Sequence, residues 1–133
     1  MTKQLTCTER VEAAKNSRIA DLKAFMELDN EETSGEWEIG YYGLSWDYVE
    51  PDTFEDQPNG YYRYQISWGG PSEEFRYYTD AMLNAYKVEY WFLDWWDGAS
   101  RTMYENRAFL NEIFEWFAET GTAAAVRDKA LEQ

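Results

Sequence analysis

The chain has 133 residues, 44% of them hydrophobic and 19% aromatic, with 26 acidic residues against 12 basic ones, one cysteine and no histidine. That length suits one domain with a real core, and so many rings exclude an acidic disordered chain, which would be poor in aromatics. A net charge of −14 repels phosphate backbones and anionic membranes and attracts basic surfaces, so neither direct nucleic-acid binding nor membrane association is expected.

In chain order, residues 6–28 read as a helix. Thr6 and Glu9 have capping-box spacing, and Val11, Ala14, Ile19, Leu22, Phe25 and Met26 approximate one apolar stripe. Lys3, Arg10, Lys15, Arg18 and Lys23 would lie mostly on its wet face. Residues 29–35 lack apolar side chains and read as a loop. Strands are expected at 41–49, with a short one at 36–39, then at 61–68, 73–79 and 86–96. Pro51 ends the first, 52–60 is a loop closed by Pro58-Asn59-Gly60, and Asp97-Gly98 stops the last. Tyr62, Tyr64, Ile66 and Trp68 form an apolar face opposite a mixed one. In the last strand both faces are apolar, so that strand is central or its second face is covered by a partner.

Helix returns at 105–119, where Leu110, Ile113, Phe114 and Phe117 fall at i, i+3, i+4 and i+7. Gly121 supplies the stop, and Thr122 caps a short Ala-rich helix to about residue 131. The expectation is a single α+β domain over 1–133: helix 6–28, a four-stranded antiparallel meander within 36–97, and two helices within 105–131 packed on it.

Chemistry is scarce. Without histidine there is no Ser-His-Asp triad, no Cys-His dyad and no zinc site of Cys and His. The lone Cys7 excludes an internal disulfide and fits a reducing cytoplasm, as does the lack of a secretory h-region or a bilayer-spanning apolar run. Carboxylate pairs such as Asp47 with Glu50, Asp52 with Asp56, and Asp94 with Asp97 lack EF-hand spacing. No enzyme, metal or other cofactor is expected.

Charge distribution is the informative feature. Between Ala24 and Tyr62 there are eleven acidic residues and no lysine or arginine. Alternate residues on a strand stand roughly 6.6 Å apart on one face, near the spacing of phosphates along a DNA strand. Glu36 and Glu38 could present that geometry, extended by Asp47, Glu50, Asp52, Glu55 and Asp56. Tyr48, Phe54, Trp95 and Trp96 are the candidate apolar anchors, since aromatic residues often dominate interface energy. The competing readings are an acidic face that only confers solubility, and a small sugar-binding domain.

The central block carries a resemblance. It comprises 42–49 (Tyr-Gly-Leu-Ser-Trp-Asp-Tyr-Val), 60–72 with its Ser67-Trp68-Gly69-Gly70-Pro71-Ser72 run, Glu74-Phe75-Arg76, and 88–99. These segments, spanning about residues 41–99, resemble small acidic accessory proteins of plasmids and phages that often accompany antirestriction genes. The resemblance implies inhibition of host defence, as anti-CRISPR or antirestriction proteins do, and supplies no catalytic residues. The expected partner is a basic protein surface of a nucleic-acid-binding complex in the host cytoplasm, met in place of DNA; a homodimer stays open. The alternative is an immunity or antitoxin-like protein that neutralises a basic toxin.

Overall fold

A computed structural model of the chain describes residues 6–29, 45–68, 71–94 and 97–131, the side chains of 25–29 excepted. Its elements are α1 (Cys7–Asp29), β1 (Ser45–Val49), β2 (Tyr61–Ser67), β3 (Ser72–Thr79), β4 (Ala85–Asp94), β5 (Asp97–Thr102), α2 (Arg107–Glu119) and α3 (Thr122–Leu131). The strands form one antiparallel meander in the order β1-β2-β3-β4-β5. The class is α+β, with one helix before the sheet and two after it.

The sheet has five strands where the sequence reading gives four. Asp97-Gly98 does not end the strand region. It opens β5, pairing Asp94 with Asp97 and Leu93 with Gly98 in a hairpin. A turn signal marks the start of a return strand as readily as the end of a sheet, and Ala99, Ser100, Arg101 and Thr102 carry too little hydrophobic alternation to declare one. The proposed short strand at 36–39 lies outside the described residues.

Helices cover one face of the sheet. Leu110, Ile113, Phe114 and Phe117 of α2 are all fully buried, on the stripe that their spacing predicts. The Phe114 ring lies 5.3 Å from Tyr62 and 5.0 Å from Tyr77, and Trp46 is stacked between Tyr64 at 4.3 Å and Phe117 at 3.8 Å. The buried Tyr77 hydroxyl donates to the Leu110 carbonyl at 3.1 Å, so its burial leaves no orphaned donor. That burial pushes its pKa well above the ordinary tyrosine value.

Helix α1 starts with the expected capping box: the Thr6 amide donates to Glu9 Oε1 at 3.0 Å, and the Glu9 amide to Thr6 Oγ1 at 3.2 Å. It lies across β4 and β5 and buries Cys7, Val11, Ile19 and Leu22. Its basic residues are not all on the wet side. Arg10 donates to Asp94 Oδ2 at 2.6 Å above the Phe92 ring, and Arg18 makes a bidentate pair with Glu73 at 2.9 and 2.5 Å. Small Ala14 and Ser17 thin the apolar stripe, and the strands beneath present carboxylates that long arginine stems can reach. Glu73 also accepts from Tyr90 Oη at 2.5 Å and Ser67 Oγ at 3.2 Å. Burial alone would raise its pKa, but the Arg18 and Tyr90 hydrogen bonds outweigh burial and hold the carboxyl below its usual range.

Trp68 does not continue the apolar face of β2. A bulge between Gln65 and Ser67 shifts the register, the strand ends at Ser67, and Trp68 is left 60% exposed.

Candidate functional site

Alternation sends the other half of each strand to the opposite face, which no described helix covers. This face is a lattice of rings and charges. Arg63 grips Asp47 through two hydrogen bonds, at 3.0 and 2.5 Å, and Asp47 is its neighbour in register. The Asp47 hydrogen bond, with its charge, raises the Arg63 pKa against the cost of burial. Arg76 faces Arg63 across β2 and β3, a like-charge pair that is tolerated because each arginine has its own carboxylate. Arg76 donates to Glu74 at 2.7 Å, and its guanidinium lies 4.7 Å from the Tyr61 ring and 3.9 Å from the Trp91 ring. Such planar stacking suits arginine and would be lost with lysine.

On β4, Glu89 Oε1 accepts from Tyr78 Oη at 3.1 Å and Trp91 Nε1 at 3.0 Å. Lys87 sits 4.2 Å over the Tyr78 ring and reaches Glu89 Oε2 only at 3.9 Å. Tyr61 and Tyr78 pack with Val49 in a small buried cluster. Burial raises the pKa of both hydroxyls, and the Glu89 charge raises Tyr78 further.

The β1–β2 loop, residues 50–60, is held from within by Gln57, which is only 8% exposed. Its Nε2 donates to the Glu50 carbonyl at 2.9 Å and the Asn59 carbonyl at 2.6 Å, while its Oε1 accepts from the Phe54 amide at 3.0 Å. Asp52 donates its amide to the Gln57 carbonyl at 2.7 Å. Asp52 and Asp56 both take left-handed backbone, with φ of 61° and 56°, which aspartate tolerates better than most residues. At Gly60 any side chain would run into the Tyr48 ring, with Tyr48 Cζ 2.8 Å from an added Cβ. Together the loop and the uncovered sheet face enclose a groove of about 560 Å³, lined by Phe54 to Asn59 and by side chains of β2, β3 and β4.

The loop holds Glu50, Asp52, Glu55 and Asp56, the last three exposed, and none forms an ion pair among the described residues. Phe54 is 51% exposed beside them. Two residues from the sequence reading sit differently. Asp47 is half-exposed and committed to Arg63, so its charge is largely neutralised. Tyr48 points to the helix-covered side, 4.9 Å from Tyr62, and packs on the core rather than anchoring a partner. Its strand position decides this, since neighbouring residues on a strand point to opposite faces and Asp47 takes the open one. Glu36, Glu38, Trp95 and Trp96 lie outside the described residues.

Sequence reasoning missed Arg76, Glu89 and Trp91, although the mixed alternation of the strands carries the signal that they share a face, and it missed the loop residue Gln57, for which there is no such signal. It also missed a convergence. An antiparallel meander brings alternate connections to one end, so loop 50–60, turn 80–84 and segment 103–106 lie at the same end of the sheet. These connectors hold Glu50, Asp52, Glu55, Asp56, Asp80 and Glu105 and no basic residue, with Phe54, Met82 and Tyr104 exposed among them. Asp80 is partly spent on its own turn, accepting from the Met82 and Asn84 amides at 2.9 and 3.0 Å, and these bonds lower its pKa.

Among the described residues no group of three or more Cys, Asp or Glu could hold a metal ion, and no helix is long and apolar enough to cross a membrane. The open face thus offers a hydrogen-bonded acidic loop, an exposed ring and a groove. No family model, curated protein or solved structure matches the chain.

Proposed function

We propose that this is a non-enzymatic interaction protein that inhibits a host defence system, of the anti-CRISPR or antirestriction kind, by docking on a basic nucleic-acid-binding surface in place of DNA. The observation that carries the reading is loop 50–60: four carboxylates that form no ion pair among the described residues, on a loop fixed by the hydrogen bonds of Gln57 beside an exposed phenylalanine. Preorganised charge of one sign attracts an opposite surface over distances near the Debye length, about 8–10 Å at physiological salt, and speeds encounter. The resemblance of the central block to accessory proteins of mobile elements supports the choice of target. Glu50, Asp52, Glu55 and Asp56 sit on a loop rather than along a strand, so it is their charge, not strand periodicity, that would substitute for phosphates.

The test is reversal of Glu50 and Glu55 to lysine together with Asp52→Asn, asparagine being suited to the left-handed backbone at that position. Inhibition of restriction or of CRISPR targeting should vanish while the circular-dichroism spectrum and melting transition stay unchanged. Full inhibition by a folded triple variant rejects the reading. Rescue of cells from a basic toxin, without any escape from restriction or CRISPR targeting, would assign the acidic loop to immunity instead.

A further inference from the structure

The groove under the loop is more specific than an acidic patch. Its lining carries four acids (Glu55, Asp56, Glu74 and Glu89) against Arg63, Arg76 and Lys87. Two of those cations are committed. Arg63 is held bidentately by Asp47, and Arg76 is tied to Glu74 between two rings. Lys87 meets Glu89 only at 3.9 Å, beyond hydrogen-bond reach. Glu89 Oε1 is already used twice, so Oε2 is the acceptor with capacity left, and Glu55 and Asp56 at the rim have no ion pair among the described residues. After local pairing the groove has surplus negative charge, and the exposed Phe54 ring stands at its edge.

We propose that this groove receives one arginine side chain from a basic partner, with its guanidinium on Glu89 and its stem against Phe54. The inference rests on the docking reading above and names what the docked surface must present. Arginine fits better than lysine because its planar head can stack on a ring while donating two hydrogen bonds to a carboxylate. Lys87 then acts as a weak internal competitor for Glu89. An anionic ligand is disfavoured, because Arg63 and Arg76 would have to leave existing carboxylate partners to meet it.

The experiment follows the Trp91 indole N–H in the nuclear magnetic resonance spectrum of the full chain, since that group donates to Glu89. The probes are a glycine–arginine repeat peptide, the same peptide with citrulline for arginine, and inorganic phosphate. The arginine peptide should shift the resonance saturably and the citrulline peptide should not. Glu89→Gln should weaken binding about tenfold or more, the usual loss for a charge-assisted pair in a partly dry site. Lys87→Gln should strengthen it, whereas an anion site would weaken.

Equal response to citrulline, indifference to Glu89→Gln, or a shift by phosphate that Lys87→Gln abolishes overturns the proposal. The two readings fail separately. If the peptide leaves Trp91 unmoved while lysine reversal in the loop still abolishes inhibition, the groove inference falls and docking stands. If the peptide binds through Glu89 while that reversal leaves inhibition intact, the arginine site stands and the docking reading falls.

Discussion

The two faces of the sheet are made from the same strands and solve different problems. On the helix-covered face rings meet rings: Phe114 touches Tyr62 and Tyr77, and Trp46 lies between Tyr64 and Phe117. On the opposite face rings meet charges: Arg76 on Tyr61 and Trp91, and Lys87 on Tyr78. The first arrangement removes apolar area from water and is insensitive to salt. The second keeps charges near the surface, where they hold side chains in place yet stay addressable by a partner. With a side-chain period of two, one segment can encode a core and a surface at once.

The comparison breaks most easily at Phe114. Phe114→Ala empties the centre of the covered face and should cost about 3–5 kcal/mol, read as a shift of the urea midpoint. A loss near 1 kcal/mol would mean that the helices do not carry the core. The rings of both faces also set an alkaline limit. Tyr61, Tyr62, Tyr77 and Tyr78 all have folded-state pKa values raised, chiefly by burial. The folded protein therefore holds protons that the unfolded chain releases. Stability is complete below the unfolded value of about 10 and declines as pH rises beyond it. Denaturant titrations across that range, with phenolate absorbance as a second readout, should show unfolding and ionisation together.

Next in size is the Arg18–Glu73 cluster on the covered face. Glu73→Gln leaves Arg18 facing a neutral amide and should cost about 2 kcal/mol or more. Glu73 is depressed, so the native state binds fewer protons there than the unfolded chain. Its contribution is complete above the unfolded pKa of about 4.3 and is lost as pH falls through the folded value. The variant should therefore lose less stability than the wild type between neutral and acid pH. Parallel acid limbs in the two proteins would show that the cluster does not govern acid unfolding.

Much of the fold was legible in the sequence because hydrophobic period is a strong signal. Leu110, Ile113, Phe114 and Phe117 announced α2, Thr6 and Glu9 announced the start of α1, and Gly and Pro bounded the hairpins. β5 was hidden because Ala99, Ser100, Arg101 and Thr102 gain their strand conformation from pairing with β4, which is a tertiary effect. The candidate site was half legible. Acid density pointed to Glu50, Asp52, Glu55 and Asp56. Composition could not show that Arg63 would neutralise Asp47 sixteen residues away, or that Tyr48 would turn inward. Nor could it show Gln57 as the loop's fastener, since one glutamine in a polar loop carries no periodic signal.

A milder test of the charged face is Arg76→Lys. Lysine keeps the charge beside Glu74 but cannot stack between Tyr61 and Trp91, so about 1 kcal/mol should be lost. The loss should shrink little in salt, because the ring contacts are part-buried and poorly screened. A loss that disappears in high salt would mean that the ion pair, not the stacking, was the stabilising contact.

The smallest expected effect on stability belongs to the loop, and it sharpens the comparison most. Replacing Glu50 and Glu55 by lysine and Asp52 by asparagine, which keeps a side chain suited to the left-handed backbone, changes charge at positions that form no ion pair among the described residues, so stability should move by no more than about 0.5 kcal/mol. The sign should favour the variant slightly at low salt, because the three changes reduce the self-repulsion of a chain at −14. Gln57→Ala is the complement: it keeps every charge but removes the hydrogen bonds that fix them, with a cost of about 1–2 kcal/mol from orphaned loop carbonyls. If the loop works by preorganised charge, both variants lose partner binding, the first at unchanged stability and the second at unchanged net charge. If charge alone suffices, Gln57→Ala binds as well as the wild type, and the hydrogen-bonded frame under the acids is structural only.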